Sequence, residues 1–441
     1  QSGSTLTLGG SGTAVTLASG ATQTGFGRTG TVDWQTTPKT TTFTAVSGEG
    51  YFANTSGGAF VMNLPAGSAG AIVSVADYTR TFQTNPLTIT PNGSEKIGGV
   101  ADTLVANTEG QSLTFIYVDG TEGWINTSES EGKKPIVPAF VAASVSGSGN
   151  TLVTVDTNYK VATFTGPGTF TVSCAGNPAG SDEVSYTVVA GGGAGANAQD
   201  ATNGFGGGAG AGGYREGRTP FCSSWSTSPL ATTGLPVSAI GYPITIGAGG
   251  AAKSGTSPGT GGRGADSIFS TITSTGGGGG QYNGGNPDAP GGSGGGAGNC
   301  GCVPVGAGNT PPVSPPQGKD GGAKSPNAAG GGGGATVAGT NGATGGPAGA
   351  GGAGATNSIN GTPTARAGGG GGGGNCGETG GGSGGAGGGG AGGNWPANPG
   401  TNGTANTGGG GGATSAGTPP GGPLNAGTGG SGIVIIRYKF Q

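Results

Sequence analysis

The chain has 441 residues and a formal net charge of −3; 115 residues are glycine, 8% are charged and none is histidine. Low charge argues against a disordered polyelectrolyte, and the lack of a dense basic stripe argues against nucleic acid as a partner. No apolar run reaches the roughly 18 residues of a membrane span, so membrane insertion is not expected. Histidine is the commonest general base and transition-metal ligand. We therefore expect no metal, no cofactor and no enzymatic activity.

The N-terminal part of the chain has the composition of a β protein. Residues 1–32 alternate weakly between small polar and apolar residues, which predicts shaft or connector strands. Residues 33–128 contain short stretches rich in β-branched and aromatic residues, separated by glycine and proline turns. This pattern predicts a β-sandwich-like or barrel domain that trimerises. Trp34 and Trp124 lie at its edges and are expected to close its core.

A linker and a second, smaller β unit follow. Glutamate, lysine and proline over residues 129–145 indicate an exposed linker, and residues 146–192 form the small β unit. Within this unit, residues 161–165 and 169–173 flank a Gly-Pro-Gly turn and predict a hairpin. The strand-like C-terminal segment, residues 431–441, is expected to pair with the 146–192 unit.

Between these strands lies a glycine-rich region, residues 193–430. The first 190 residues hold 27 glycines and the remainder holds 88, often in unbroken runs such as 276–280 and 368–374. Collagen is disfavoured because glycine does not recur at every third position, and calcium-binding β-rolls are disfavoured because aspartate is scarce. A flexible linker is the alternative interpretation, but the strand-like segment that follows the glycine-rich region argues against it.

Polyglycine II helices explain the runs better. They are extended threefold helices without internal hydrogen bonds, and they pack closely when their contact faces carry only glycine or alanine. We therefore predict an all-β plus glycine-rich, helix-poor fold. Small β-sandwich or barrel domains are followed by a polyglycine II helix bundle, which a C-terminal β-strand closes.

Aromatic and amide side chains lie in loops between the glycine runs. Such side chains on a rigid frame are typical of carbohydrate or protein-surface recognition, and capping of helix ends is an equally strong interpretation. The candidate receptor-contact residues are Tyr214, Arg215, Phe221, Trp225, Tyr282, Asn283, Trp395 and Asn398.

The cysteines form an odd set without Cys-x-x-Cys spacing, which disfavours zinc. A disulfide between Cys222 and Cys300 or Cys302 and a set of small buried thiols are both open. The five are Cys174, Cys222, Cys300, Cys302 and Cys376.

Five stretches of the chain form a recognisable set: VDWQTT (32–37), GEGYFANT (48–55), YVDGTEGW (117–124), TFTGPGTF (163–170) and GIVIIRY (432–438). Together they resemble tail-fibre proteins of marine phages, especially those that infect cyanobacteria, with a C-terminal glycine-rich domain. More loosely, the glycine half resembles adhesins at the fibre tips of T-even-like phages, which present variable loops on packed polyglycine II helices.

The resemblance implies an extracellular virion part, a homotrimeric tail fibre or its distal portion. It would contact a host surface glycan or outer-membrane protein during adsorption and join upstream fibre or tail components. Because the chain starts with Gln1 instead of Met, a virion-anchoring region is expected upstream. The alternative function is a glycine-rich structural subunit of a cell-surface filament or extracellular matrix.

Overall fold

The computed structural model describes residues 32–131, 138–198, 204–253, 258–283, 285–299, 304–374, 380–396, 398–415 and 425–441. The predicted shaft therefore lies outside the described residues, apart from Val32. Two compact units, Gln1–Ile136 and Val137–Gln441, are described separately below. The described residues contain strands and no helix, in agreement with the predicted all-β, helix-poor class. Accordingly, they contain no helix long and apolar enough to cross a membrane.

Short stretches of β-branched and aromatic residues form the strands of the first unit. Its described strands are β1 (Asp33–Lys39), β2 (Phe43–Thr44), β3 (Glu49–Ala53), β4 (Phe60–Asn63), β5 (Ile72–Asp77), β6 (Leu87–Thr90), β7 (Leu104–Ala106), β8 (Gln111–Asp119) and β9 (Gly123–Glu131).

This unit has two sheets, ordered β1-β3-β5-β8-β9 and β2-β4-β6-β7, and strands β1 to β6 alternate between them along the chain. As a result, β1, β3 and β5 are parallel neighbours in one sheet, and β2, β4 and β6 are parallel neighbours in the other. The chain thus coils between the sheets before β7, β8 and β9 add antiparallel pairs. The sequence predicted a sandwich-like β domain but did not predict the parallel pairing of its strands, because the spacing of turns does not reveal which strands pair.

The core of the first unit lies between its two sheets. Met62, Val73 and Phe115 are fully buried there, and so is Trp124, as the sequence predicted. Trp34 is instead 42% exposed, which corrects its expected place in the core. It pairs with a glycine of β3, and the missing side chain leaves room for the indole on the outer face of the sheet.

The predicted linker at 129–145 is wrong at both ends. Strand β9 continues to Glu131, which pairs with Gln111 of β8, and a new strand begins at Val141. Ladder hydrogen bonds join backbone groups, which glutamate and serine supply like any other non-proline residue, so these residue types did not mark the end of the strand. Residues 132–137 lie outside the described residues.

The second unit contains fourteen strands in its described part. They are β10 (Val141–Val145), β11 (Thr151–Val155), β12 (Tyr159–Phe164), β13 (Gly168–Ala175), β14 (Glu183–Val189), β15 (Tyr214–Arg218), β16 (Ala231–Thr233), β17 (Leu235–Pro236), β18 (Gly241–Thr245), β19 (Ser267–Phe269), β20 (Ile272–Ser274), β21 (Ala355–Asn357), β22 (Thr364–Arg366) and β23 (Ile433–Lys439).

Two of its sheets enclose a first apolar core. One has the order β10-β13-β18-β19-β20, and the other has the order β11-β12-β23-β14-β15-β16 with β17 beside β14. Phe164, Tyr186, Phe170 and Phe269 are buried between them. The closing strand β23 lies between β12 and β14 and is antiparallel to both. This pairing with the 146–192 segment is the one that the sequence predicted.

The predicted hairpin of β12 and β13 does not form. Strand β12 pairs with β11 and β23, whereas β13 pairs with β10 and β18. The Gly-Pro-Gly turn therefore carries the chain from one sheet to the other. Phe164 and Phe170 enter the same core from opposite sheets, so this crossing buries both rings.

A second apolar core covers the other face of the β23 sheet. Alternate residues of a strand point to opposite faces, so Val434 and Ile436 enter the first core, while Ile433 and Ile435 enter the second. Trp225 also belongs to the second core. Burial on both faces explains why the closing strand is a continuous apolar run.

The glycine-rich region forms a bundle of extended segments joined by backbone hydrogen bonds. Along the central segment, 207–213, successive N–H groups donate to three segments in turn. Residues 207, 210 and 213 donate to 275–281, residues 208 and 211 donate to 330–333, and residues 209 and 212 donate to 408–411.

The carbonyls of the same segment follow the same three-residue period. They accept from segment 190–196, from segment 293–296 and from residue 370, so the central segment has six neighbours. A period of three is the pattern that packed polyglycine II helices require. The threefold twist of each segment stays a prediction.

Close approach of the segments explains why side chains are absent. A Cβ on Gly332 would overlap the backbone of Ala209, and a Cβ on Gly370 would overlap the backbone of Gly411. Larger side chains would separate the segments and leave buried N–H and C=O groups without partners. Glycine is therefore required here by packing.

Candidate binding surface at the loop end of the glycine bundle

The glycine bundle has two different ends. At one end its segments join strands: β14 leads into residue 190, β15 begins at Tyr214, and β23 begins at Ile433. We call this the sheet end. At the other end the segments reverse direction, and we call it the loop end. Its described residues include 196–198, 204–206, 281–283, 297–299, 323–327, 341–347, 373–374, 380–381, 393–396, 398 and 413–415.

Hydrogen bonds join the turns of the loop end to one another. They run from Ala198 N to Thr414 Oγ1 (2.7 Å), from Asn299 N to Phe205 O (2.8 Å), from Gly373 N to Gly206 O (2.9 Å) and from Asn398 N to Ser415 Oγ (2.9 Å). Residues more than 200 positions apart in sequence therefore lie side by side. The bundle gathers its turns into one surface.

Amide side chains cap backbone groups at this end. Asn394 Oδ1 accepts from Gly381 N at 2.6 Å, and Asn341 Oδ1 accepts from Ala323 N at 2.7 Å. A donor near the end of a segment has no further segment to pair with, and a side-chain oxygen takes that place. The capping interpretation therefore applies to these two amides, and recognition by the amides of this end stays a prediction.

Four of the eight predicted contact residues lie at the loop end. Asn283 and Asn398 are exposed, and Trp395 is 39% exposed. Tyr282 is buried against Ala196 and Ala198. This burial corrects the expectation that Tyr282 is displayed on the surface. Its ring fills the space beside small side chains, where the bundle offers little other apolar contact.

The other four predicted residues lie at the sheet end. Tyr214 and Trp225 are buried in the second core, and Arg215 and Phe221 are half-buried. The prediction of display is therefore wrong for Tyr214 and Trp225. Alanine and glycine are too small to fill the gap between a sheet and the bundle end, so large aromatic rings occupy it.

A buried polar network surrounds Tyr214. Its hydroxyl donates to Glu216 Oε2 at 2.6 Å and accepts from Asn357 Nδ2 at 2.8 Å. Ser228 donates to the same carboxylate through both its N–H and its hydroxyl, and Arg366 donates to Asn357 Oδ1. Burial and the Glu216 carboxylate raise the pKa of Tyr214 well above its usual range. The network ties the hairpin β21–β22 to β15 and has a structural role.

The described cysteines are free thiols. Cys222 is buried and Cys174 is exposed, so the structure favours the buried-thiol interpretation for Cys222 over a disulfide. Burial raises the pKa of Cys222 to about 11, against the opposing effect of Arg437. Cys300, Cys302 and Cys376 lie outside the described residues.

Sequence analysis missed two exposed turns at the loop end, residues 324–327 and 343–347. Neither turn contains an aromatic residue, whereas each loop that was chosen from the sequence contains one. A proline or a lysine between two glycine segments was the available signal for both turns.

The loop end offers binding chemistry of one kind. Amides, hydroxyls and the Trp395 indole dominate its described part, and no group of three metal-ligating side chains occurs in the described ranges. The groups that such a surface offers to a ligand are an aromatic face for stacking and uncharged hydrogen-bonding groups.

Comparison with known families gives one match. A family model described as a glycine-rich domain matches residues 163–439, which include the bundle and most of the sandwich beneath it. A search of curated proteins finds no match to the chain.

Proposed function

This chain belongs to the glycine-rich domain family, and we propose that it acts as the distal, host-contacting part of a phage tail fibre. One observation carries the proposal: the bundle collects turns from distant parts of the sequence into one surface, opposite the strands that anchor it. A frame held mainly by backbone hydrogen bonds between its segments tolerates changes in its turns, because the turns form little of the frame. That property suits an adhesin whose receptor varies.

The chemistry of the loop end suits a host surface glycan or an outer-membrane protein. Trp395 presents an aromatic face, and Asn283 and Asn398 present amides. Aromatic side chains supply large, rigid contact area, and amides supply adaptable hydrogen bonds. The fibre itself is non-enzymatic in this proposal, and it is part of the virion and extracellular.

Competition for adsorption tests the proposal. Excess purified chain should block the receptor and slow adsorption of the phage that carries this fibre. Trp395→Ala should compete at least about tenfold less well, the loss expected for an aromatic hot spot. Ile240→Thr, an exposed site on a sheet loop, is the matched control and should compete normally.

The outcomes separate the possible receptors. Competition that disappears after periodate treatment of the cells indicates a glycan, and competition that disappears after protease treatment indicates a protein. Undiminished adsorption at saturating chain would contradict the proposal.

The assembly is proposed to be a homotrimer that joins upstream fibre or tail components through residues 1–32. Low charge and the small polar and weakly apolar side chains of residues 1–32, which have little to bury by themselves, support association of chains. Sedimentation should give discrete trimers at all concentrations. Open-ended growth would instead favour the structural-filament alternative.

A further inference from the structure

A cavity of about 430 Å³ opens beside the edge of the β23 sheet. It lies where β15 and β16 run parallel, with Arg218 opposite Thr233, and under the loop that connects these strands. Its lining is Arg218, Thr219, Pro220, Ser223, Thr227, Ala231, Thr232 and Thr233. None of these residues belongs to the loop end.

The cavity has one cation without a counter-ion. Arg218 is exposed, and its Nη1 donates to the Trp225 carbonyl at 3.2 Å. No carboxylate pairs with it in the described part of the chain. Its Nη2 and Nε groups therefore remain as donors for an anion, for which a guanidinium is suited.

Three hydroxyls of the lining are also unpaired among the described residues, namely those of Ser223, Thr227 and Thr233. The other two are engaged: Thr219 Oγ1 accepts from Phe221 N, and Thr232 Oγ1 donates to Glu216 O. Unpaired hydroxyls around one open space offer both donors and acceptors. They match a ligand that itself carries several hydroxyls.

We propose that this cavity binds an acidic monosaccharide unit. Its carboxylate lies on Arg218, and its ring hydroxyls bond to Ser223, Thr227 and Thr233. Pro220 supplies an apolar wall for the ring. The volume is at the lower end of the roughly 300–1,000 Å³ typical of small-ligand sites, which suits a single sugar unit. This inference goes beyond the proposed function, because it places a sugar site away from the loop end.

Titration of the ¹⁵N-labelled full chain with glucuronate, glucose and acetate tests the proposal by NMR. Glucuronate should shift the amide signals of residues 217–233, and glucose should bind about tenfold more weakly, since it lacks the charge-assisted bonds. Arg218→Gln should remove this preference, whereas Arg215→Gln, on the same strand but outside the cavity, should keep it. Thr227→Val should weaken both sugars.

Several outcomes would overturn the proposal. These are an absence of shifts with glucuronate, acetate binding as well as glucuronate, and equal losses in Arg218→Gln and Arg215→Gln. Arg218→Gln should still compete for phage adsorption, whereas Trp395→Ala should still bind glucuronate. Failure of this inference is thereby distinguishable from failure of the proposed function.

Discussion

At the scale of single residues, Arg437 is the polar centre of the second unit. It is fully buried on β23, donates to Ile359 O at 3.2 Å and to Ser224 Oγ at 2.9 Å, and forms an ion pair with Asp156. Its guanidinium lies 4.9 Å from the centre of the Tyr159 ring. One side chain thus joins the closing strand to three separate loops.

Arg437→Met should lower the free energy of unfolding by about 2 kcal/mol. Removing one partner of a fully buried pair costs about 3–5 kcal/mol, but Asp156 is half exposed and keeps part of its hydration. Urea denaturation measures the change. Lys439→Met, two positions along the same strand, is the control and should change stability by less than about 0.5 kcal/mol; equal losses would contradict the role of Arg437.

The two described thiols should differ in reactivity. Since thiolate is the reactive form and burial raises the pKa of Cys222 to about 11, Cys222 should resist iodoacetamide at pH 8, while exposed Cys174 is alkylated. Peptide mass spectrometry measures both in the native chain, and denatured chain is the control in which both react. Rapid native alkylation of Cys222 would show that it is not buried as described.

At the scale of elements, the glycines of the bundle differ in how strongly they require the missing Cβ. A Cβ on Gly332 would overlap the carbonyl of Ala209, whereas a Cβ on Gly374 would meet its nearest atom, Trp395 N, at 3.3 Å. The same substitution should therefore have different costs along one bundle.

Gly332→Ala should lower the free energy of unfolding by about 3 kcal/mol or more, the upper range for overpacking, because segments must separate and lose hydrogen bonds. Gly374→Ala, the matched control, should cost less than about 1 kcal/mol. Thermal and urea unfolding measure both. Equal tolerance of the two substitutions would mean that the segments do not pack closely.

At the scale of the whole molecule, the bundle is a network in which each segment depends on several others. The central segment alone has six neighbours, so a single segment cannot open without breaking bonds to many. We therefore expect slow amide hydrogen exchange throughout the bundle, which should open as one cooperative unit.

Amide hydrogen exchange of the ¹⁵N-glycine-labelled chain, followed by NMR, tests whether the bundle opens as one unit. Signals of glycines 276–280 and 368–374 should be dispersed and exchange far more slowly than in an unfolded peptide. Exposed Gly57 and Gly120, beside which no atom lies within 4 Å of an added Cβ, serve as internal references and should exchange fast. Random-coil shifts with unprotected exchange in the runs would indicate a flexible tether.

Local composition by itself determined several of the strands and the kind of core that each region could form. β-Branched alternation located β8, β13 and β23 to within a few residues, and polyglycine excluded side chains from the bundle interior. These outcomes depend on short-range sterics and on apolar periodicity, and both are determined by residues that are close in sequence.

Only the tertiary structure decided which elements meet. The glycine runs are nearly identical in sequence, so no run shows which other runs it packs against. A Gly-Pro-Gly turn is equally compatible with a hairpin and with a crossing between sheets. Tyr214 and Trp225 are buried because a sheet and a bundle end leave a gap between them, whereas Trp395 stays exposed at the far end. Burial depends on contacts between residues distant in sequence, and for that reason the expected display of Tyr214, Trp225 and Tyr282 was wrong.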